Sequence, residues 1–309
     1  AATVAGLCFG SLGSDTGGSI RFPSASCGIV GIKPTYGRVS RYGVFPLADS
    51  LDHVGPMTRS VADAAAMLRV IAGFDPHDPT SCREAVTVSN DSLTLEKGVK
   101  NVRIGIDETY CKDQTDPEVI MAVLDSVQVL RNLEATIQEV SLERVPDFLP
   151  IWFTICTAET AAVHEKTFPS RADDYGPGFR AFLESGNQVS GLEYAKAHAS
   201  RQAICRLINN LFQEVDLLLC PSMPTPPASL NDFPPQAVIE QDGLLPLLRF
   251  TAPFDLTGSP TISLPCGFTS KGLPISLQLI GRHLDEALLC QVAHAYEQAT
   301  EWHKQRPSV

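Results

Sequence analysis

The stretch Gly10-Ser-Leu-Gly-Ser-Asp-Thr-Gly-Gly-Ser-Ile-Arg-Phe-Pro23 decides how this chain is read. Two adjacent glycines lack a Cβ and tolerate backbone angles closed to other residues. The N–H groups of Thr16, Gly17, Gly18 and Ser19 are therefore free to turn toward one point, and such a point suits an anion. The Ser19 hydroxyl, at the end of the same loop, is then placed to attack a carbonyl while the N–H groups hold the oxygen that becomes negative. Nucleophile and oxyanion hole are expected in one loop. Gly-Gly-Ser alone reads more readily as a plain turn, since short motifs match by chance; the weight comes from what flanks it.

Gly13 to Pro23 is followed, in order, by Cys27-Gly-Ile-Val-Gly-Ile-Lys-Pro-Thr-Tyr-Gly-Arg38 and by Leu51-Asp-His-Val-Gly-Pro-Met-Thr-Arg59. Across these stretches the chain closely resembles the amidase signature family of serine hydrolases. The resemblance implies hydrolysis of a small-molecule carboxylic amide to acid and ammonia or amine through a Ser19 acyl-enzyme, with no cofactor and no metal. It implies a Ser-Ser-Lys triad in which a neutral lysine takes the nucleophile's proton through a bridging serine. Ser19 falls on the nucleophile, Thr16, Gly17, Gly18 and Ser19 on the oxyanion-hole amides, and Asp15 with Arg21 on a supporting charged pair. In the family the bridging serine lies in a Gly-Gly-Ser-Ser-Gly-Gly-Ser element running into the stretch that matches Ala1, and the lysine lies further upstream.

Neither of those residues is in this sequence, which starts without Met and in what reads as a helix (Ala1, Val4, Ala5, Cys8). The expectation is a single amidase signature domain over residues 1–309, lacking its N-terminal part. Such a chain is expected to be inactive and marginally folded, with apolar surface bared. Lys33 belongs to a Gly-Ile-Lys-Pro-Thr element whose lysine is not the family's base, so it reads as a structural or surface residue.

Other hydrolase designs fit less well. Arg21 stands where a Gly-x-Ser-x-Gly elbow needs its last glycine. A Ser-His-Asp triad would have to borrow His53 and Asp52, and that histidine reads as a satisfied loop residue. A glutamyl- or aspartyl-tRNA amidotransferase A-type subunit shares the loop around Ser19. The acidic charge and the ending Ala295-Tyr-Glu-Gln-Ala-Thr-Glu-Trp-His303 fit the general amidases better. A non-catalytic binding fragment is the remaining alternative.

Composition narrows the partners. With 309 residues, 44% hydrophobic and 19% charged, the chain can bury a sizeable core. A formal net charge of -11 repels phosphate backbones, so nucleic acid is not an expected partner. Nine cysteines without a Cys-x-x-Cys pair argue for reduced, mostly buried thiols rather than disulfides or zinc. No basic n-region precedes the apolar start and no run reaches the roughly 18 residues of a membrane span. A soluble, cytoplasmic protein is expected, its oligomeric state open.

Periodicity places the remaining elements. Ser60 and Asp63 resemble a capping box before Val61, Ala64, Ala65, Leu68 and Ile71, with Gly73 as the stop. The polar Asp75–Lys100 segment reads as a connection into a strand at 102–106. Asp116 and Pro117 open a helix with Ile120, Val123, Leu124, Val127 and Leu130 inward, and a strand at 135–140 completes a parallel pair. The 145–182 region reads as helical and aromatic-rich. Trp152 and Phe153 are its candidates for a substrate pocket, because in the family this region lies near the acyl side of the substrate channel. Ser190 and Glu193 form a second capping box for a helix carrying Leu192, Ala195, Ala199, Ala203, Leu207, Ile208 and Leu211. It leads to a strand at 215–220 and a proline-rich loop. Residues 251–268 and 272–281 resemble the family's last two strand segments, with Asp255 where many members carry asparagine. A helix over 285–300, with Leu288, Val292, Ala295 and Tyr296 inward, ends the chain. The expected fold is α/β, a mixed central sheet flanked by helices on both faces.

Overall fold

The computed structural model describes residues 1–85, 95–142, 147–229 and 245–307. Its strands are β1 (Gly10–Asp15), β2 (Val30–Lys33), β3 (His53–Thr58), β4 (Arg103–Ile106), β5 (Thr136–Glu139), β6 (Leu217–Pro221), β7 (Thr261–Phe268) and β8 (Pro274–Gly281). They form one sheet in the order β1-β3-β2-β7-β8-β6-β4-β5. The β4 strand pairs in parallel with β5 and β6, and the other pairs are antiparallel. The sheet is thus mixed, and the parallel pair expected from the strand-helix-strand pattern is β4 with β5.

Along β6, β7 and β8 nearly every residue is buried, without the alternation of a half-exposed strand. Such runs require cover on both faces of the sheet. Helices α1 (Arg21–Cys27), α4 (Pro117–Asn132) and α9 (Glu286–Gln298) pack on β7 and β8, and α2 (Val61–Ile71) packs on β3. Helix α3 (Glu108–Lys112) is a single short turn before α4, and α8 (Ala252–Leu256) another before β7.

The caps follow their sequence signals. Ser60 Oγ accepts the Asp63 N–H at α2, and the Asp116 carboxylate caps α4 with Pro117 in its first turn. At α7 (Gly191–Glu214), Ser190 and Glu193 complete a reciprocal capping box. The buried stripe of α7 differs from the expected one. Ala197, Ile204, Ile208 and Phe212 face inward, whereas Leu192, Ala195, Ala199 and Ala203 are exposed. Alanines on both sides of this helix blur its apolar face, and the bulkier Ile204 and Phe212 set the rotation.

Residues 1–9 correct a second expectation. They form turns rather than a helix, with Ala5 N–H bonded to Ala1 O and Leu7 N–H to Ala2 O before Gly6, at φ 77°, redirects the chain. Leu7 and Phe9 are exposed there, as is Leu12 on β1, which stands at the sheet edge with β3 as its partner. Part of the Asp75–Lys100 connection, residues 86–94, lies outside the described residues, as does Val145.

Two helices pack against each other. Helices α5 (Phe148–His164) and α6 (Pro177–Gln188) cross so closely that a Cβ on Gly186 would lie 2.0 Å from the Thr157 carbonyl oxygen. Only glycine permits that approach. Among the described residues no helix is long and apolar enough to cross a membrane, and all nine cysteines are free thiols, five of them buried.

Candidate active site

The loop between β1 and α1 has an unusual burial profile. Asp15, Thr16, Gly17, Gly18 and Ile20 are buried, and Ser19 between them is exposed. Ser19 makes no hydrogen bond to another described residue, and the N–H groups of Gly17, Gly18 and Ser19 donate to no acceptor among the described residues. A hydroxyl and three backbone donors are thus left available at one bend. The glycines are needed for it. Gly18 sits at φ 146°, and a Cβ on Gly17 would lie 2.6 Å from Cζ2 of Trp152.

Several other polar groups of the loop are tied down. Thr16 Oγ1 donates to Asp52 Oδ1 at 2.5 Å, and Asp52 also accepts the N–H groups of Leu47 and Ala48. The Thr16 carbonyl accepts the indole N–H of Trp152 at 2.8 Å. The Gly17 carbonyl accepts the Thr251 hydroxyl at 2.5 Å, and the Gly18 carbonyl accepts the Phe22 N–H at 2.7 Å. Asp15 Oδ2 accepts the N–H groups of Ile20 and Arg21, closing the loop onto the first turn of α1.

Beneath the loop lies a buried charge cluster. Arg21 pairs with Asp15 through Nε and Nη2, with Asp255 Oδ2 at 2.6 Å, and donates from Nη1 to the Thr251 carbonyl at 2.9 Å. Burial favours the neutral form of Asp15, but the Arg21 guanidinium outweighs it and holds the carboxyl well below the usual carboxylate range. Burial likewise acts against the Arg21 cation, and the two carboxylates reverse it, holding the guanidinium above its ordinary value. Asp255 behaves oppositely. Burial and the nearby Asp15 charge push it well above the carboxylate range despite Arg21. One guanidinium compensates one carboxylate fully and the second only in part.

Lys33 and His53 border this cluster. Lys33 is fully buried, with Nζ donating to the Ser259 carbonyl at 2.7 Å, and burial pulls its amine down to about 7. The surface alternative for this residue is therefore excluded. His53 Nδ1 donates to the Leu51 carbonyl at 2.6 Å and lies 3.5 Å from Asp255 Oδ1. Burial and the Lys33 charge keep its ring neutral. Asp52 and His53, neighbours in sequence, face different partners. Neither is bonded to Ser19, so no Ser-His-Asp triad forms.

The sequence-selected residues thus come together as Asp15, Thr16, Gly17, Gly18, Ser19, Arg21 and Trp152. Phe153 instead packs edge-on against Phe182 of α6, ring centroids 5.7 Å apart. Asp52, Thr251 and the Asp255 contact were not read from the sequence. Their local signals were places in matched segments, Asp52 in Leu-Asp-His-Val-Gly-Pro and Thr251 with Asp255 in the 251–268 stretch, and neither segment reveals a partner. Among the described residues no group of three or more His, Cys, Asp and Glu side chains is placed to hold a metal ion.

Comparison with known proteins shows the family. A putative amidase, AmiD, of Mycobacterium tuberculosis is 42% identical over 310 residues, covering all of this chain and 64% of the relative. The A-type subunit of the glutamyl-tRNA(Gln) amidotransferase of Listeria monocytogenes is 38% identical over 334 residues, covering all of this chain and 67% of the relative. The structure of a 6-aminohexanoate cyclic dimer hydrolase superposes with a TM-score of 0.89 at 29% identity, covering 99% of this chain and 68% of that one. The chain therefore spans about 64% of the length of the curated amidase it matches. The model of the amidase family matches residues 1–290, which take in the Ser19 loop, its buried charge cluster and the eight strands of the described residues, and the chain belongs to that family.

Proposed function

We propose that this chain carries the nucleophile and the oxyanion hole of an enzyme that hydrolyses carboxylic amides. The observation that carries the reading is Ser19 itself, exposed at a bend where neither its hydroxyl nor the amides of Gly17, Gly18 and Ser19 have a partner among the described residues. Ser19 Oγ attacks the amide carbonyl carbon, and the oxygen that becomes negative is held by the N–H groups of Thr16, Gly17, Gly18 and Ser19. The hydroxyl proton passes to a base and on to the leaving nitrogen, the C–N bond breaks, and ammonia or an amine departs. Water then adds to the Ser19 ester, the bond to Oγ breaks, and the free acid leaves with the hydroxyl restored. Lys33 and His53 are not this base, since each is engaged with backbone carbonyls away from Ser19.

Asp15 and Arg21 support the loop by pinning both its ends. Trp152 borders it, whereas Phe153 has no bond to it, so any pocket on this side is shaped by Trp152 first. A small amide, rather than an aminoacyl-tRNA, is the substrate class favoured by the net charge of -11. Nine free thiols fit a reducing, cytoplasmic setting.

The test is Ser19→Ala in the protein carrying this chain, assayed for acid release from a panel of simple aliphatic and aromatic amides. Turnover is expected to vanish with the thermal transition unchanged. A fluorophosphonate should label Ser19 in the parent, read by peptide mass spectrometry. Retained turnover in the variant, or labelling at another serine, removes Ser19 as nucleophile. Tight tRNA binding with a steep salt slope would move the reading to the amidotransferase alternative.

A further inference from the structure

In a trans peptide the C=O of one residue and the N–H of the next point in opposite directions. Fixing a carbonyl therefore aims the following amide. Two side chains from distant parts of the sequence do this in the Ser19 loop. The Trp152 indole N–H, on α5, holds the Thr16 carbonyl at 2.8 Å, which directs the Gly17 N–H away from Trp152. The Thr251 hydroxyl, just before α8, holds the Gly17 carbonyl at 2.5 Å, which directs the Gly18 N–H away from Thr251.

We infer that Thr251 and Trp152 are positioning residues, whose donors clamp two successive loop carbonyls and so aim the Gly17 and Gly18 amides at the oxygen of the bound acyl group. The inference rests on the Ser19 reading and adds to it the devices that set its geometry. Glycine makes such clamps necessary. A Gly-Gly pair can rotate its peptide plane at little steric expense, so something outside the loop must choose the orientation. Both donors are rigidly held. Thr251 is fully buried, and its own carbonyl accepts Arg21 Nη1 at 2.9 Å, which ties the clamp to the Asp15–Arg21 pair. The Leu248 carbonyl is a longer alternative for the same hydroxyl, at 3.3 Å. Trp152 is 3% exposed, and its ring lies against Gly17. Among the described residues the Trp152 indole N–H has no other acceptor, and the Gly17 carbonyl is the nearer of the two that the Thr251 hydroxyl reaches.

The experiment compares Thr251→Val, which keeps the shape and removes the hydroxyl, with Thr251→Ser, which keeps the hydroxyl, and with Trp152→Phe, which removes the indole N–H. Ser19→Ala is run alongside. Loss of one oxyanion donor costs about 10²- to 10³-fold in kcat, and a misaimed donor retains part of its effect. Thr251→Val and Trp152→Phe are therefore expected to lower kcat about 10- to 100-fold, Thr251→Val with KM changed less than about threefold, and both to slow fluorophosphonate labelling of Ser19 in parallel. Thr251→Ser is expected within about threefold of the parent, a rescue that packing alone would not give. Trp152→Phe carries the test if Thr251→Val does not fold. Parental kcat and labelling rate in the folded variants, with Ser19→Ala inactive, overturn the clamps and leave the Ser19 reading standing. Turnover surviving in Ser19→Ala, or neither turnover nor labelling in the parent, overturns that reading and the clamps with it.

Discussion

Asp15 and Arg21 meet edge to edge in the interior, Oδ1 at 2.9 Å from Nη2 and Oδ2 at 3.0 Å from Nε, with both side chains fully inaccessible. The same Asp15 oxygen that binds Nε accepts the Ile20 and Arg21 backbone N–H groups, so the pair holds the two ends of the Ser19 loop together. Removing one member leaves a charge buried without its partner, which typically costs about 3–5 kcal/mol. The two members are not equivalent, because Arg21 serves Asp255 as well. Arg21→Met is expected to destabilise more than Asp15→Asn, since it strands two carboxyl groups and the Thr251 carbonyl. Urea denaturation of both variants at neutral pH checks the order, and a smaller loss for Arg21→Met would contradict it.

Gly17 offers a steric test separate from the charges. A methyl group there would meet the Trp152 ring at 2.6 Å, while the backbone angles of Gly17 are not left-handed. Gly17→Ala should therefore displace Trp152 rather than strain the loop backbone, lowering kcat by about 10- to 100-fold. The indole fluorescence of the protein, which has two tryptophans, should change with it. Unchanged fluorescence together with full turnover would show that the contact yields freely.

Lys33 predicts a pH dependence of stability. Burial lowers its amine from 10.5 to about 7 in the folded protein, so between those values the unfolded chain binds more protons and this group makes stability rise with pH. Below about 7 the penalty for a buried ammonium is fully present. Lys33→Met removes the dependence. The stability of the variant relative to the parent should be greatest at pH 6 to 7 and decline toward pH 10, read as a difference in urea midpoints. A difference that does not vary with pH contradicts the assignment.

Glu297 works in the other direction. On α9 it accepts the Val61 N–H at 2.9 Å at the start of α2, and burial raises its carboxyl from 4.5 to about 7. Over that interval the folded state keeps a proton that the unfolded state gives up, so this group makes stability fall as pH rises. Glu297→Gln keeps the acceptor without the charge. It should abolish that fall and exceed the parent at pH 8 by up to about 3 kcal/mol. Equal midpoints at pH 8 would remove Glu297 from the titration.

What the sequence made legible is what short-range chemistry determines. Ser60, Asp116 and the Ser190–Glu193 box cap their helices because capping involves residues a few positions apart. The glycine pair beside Ser19 is legible for the same reason. The clamps on that loop are not, because Trp152 and Thr251 lie 136 and 234 positions from the carbonyls they hold. Only the folded sheet, with β7 beside β2, brings such segments together. Lys33 was obscured by its residue type, since lysine is seldom fully buried, and here carbonyls replace the water it lost. On α7, alanine on both sides left the buried face undecided until Ile204 and Phe212 met their neighbours.

The crossing of α5 and α6 at Gly186 carries an evolutionary consequence. Even alanine at 186 would have to part the two helices, because its methyl group would enter the Thr157 carbonyl. Thr157 and Trp152 ride on the same helix, so the parting would be delivered to the Thr16 carbonyl and onward to the peptide beside Ser19. Position 186 is thereby closed to neutral drift. A lineage in which it changes inherits a shifted Ser19 loop from a residue outside that loop, and its descendants would be selected for compensating changes along α5 before any change in the loop.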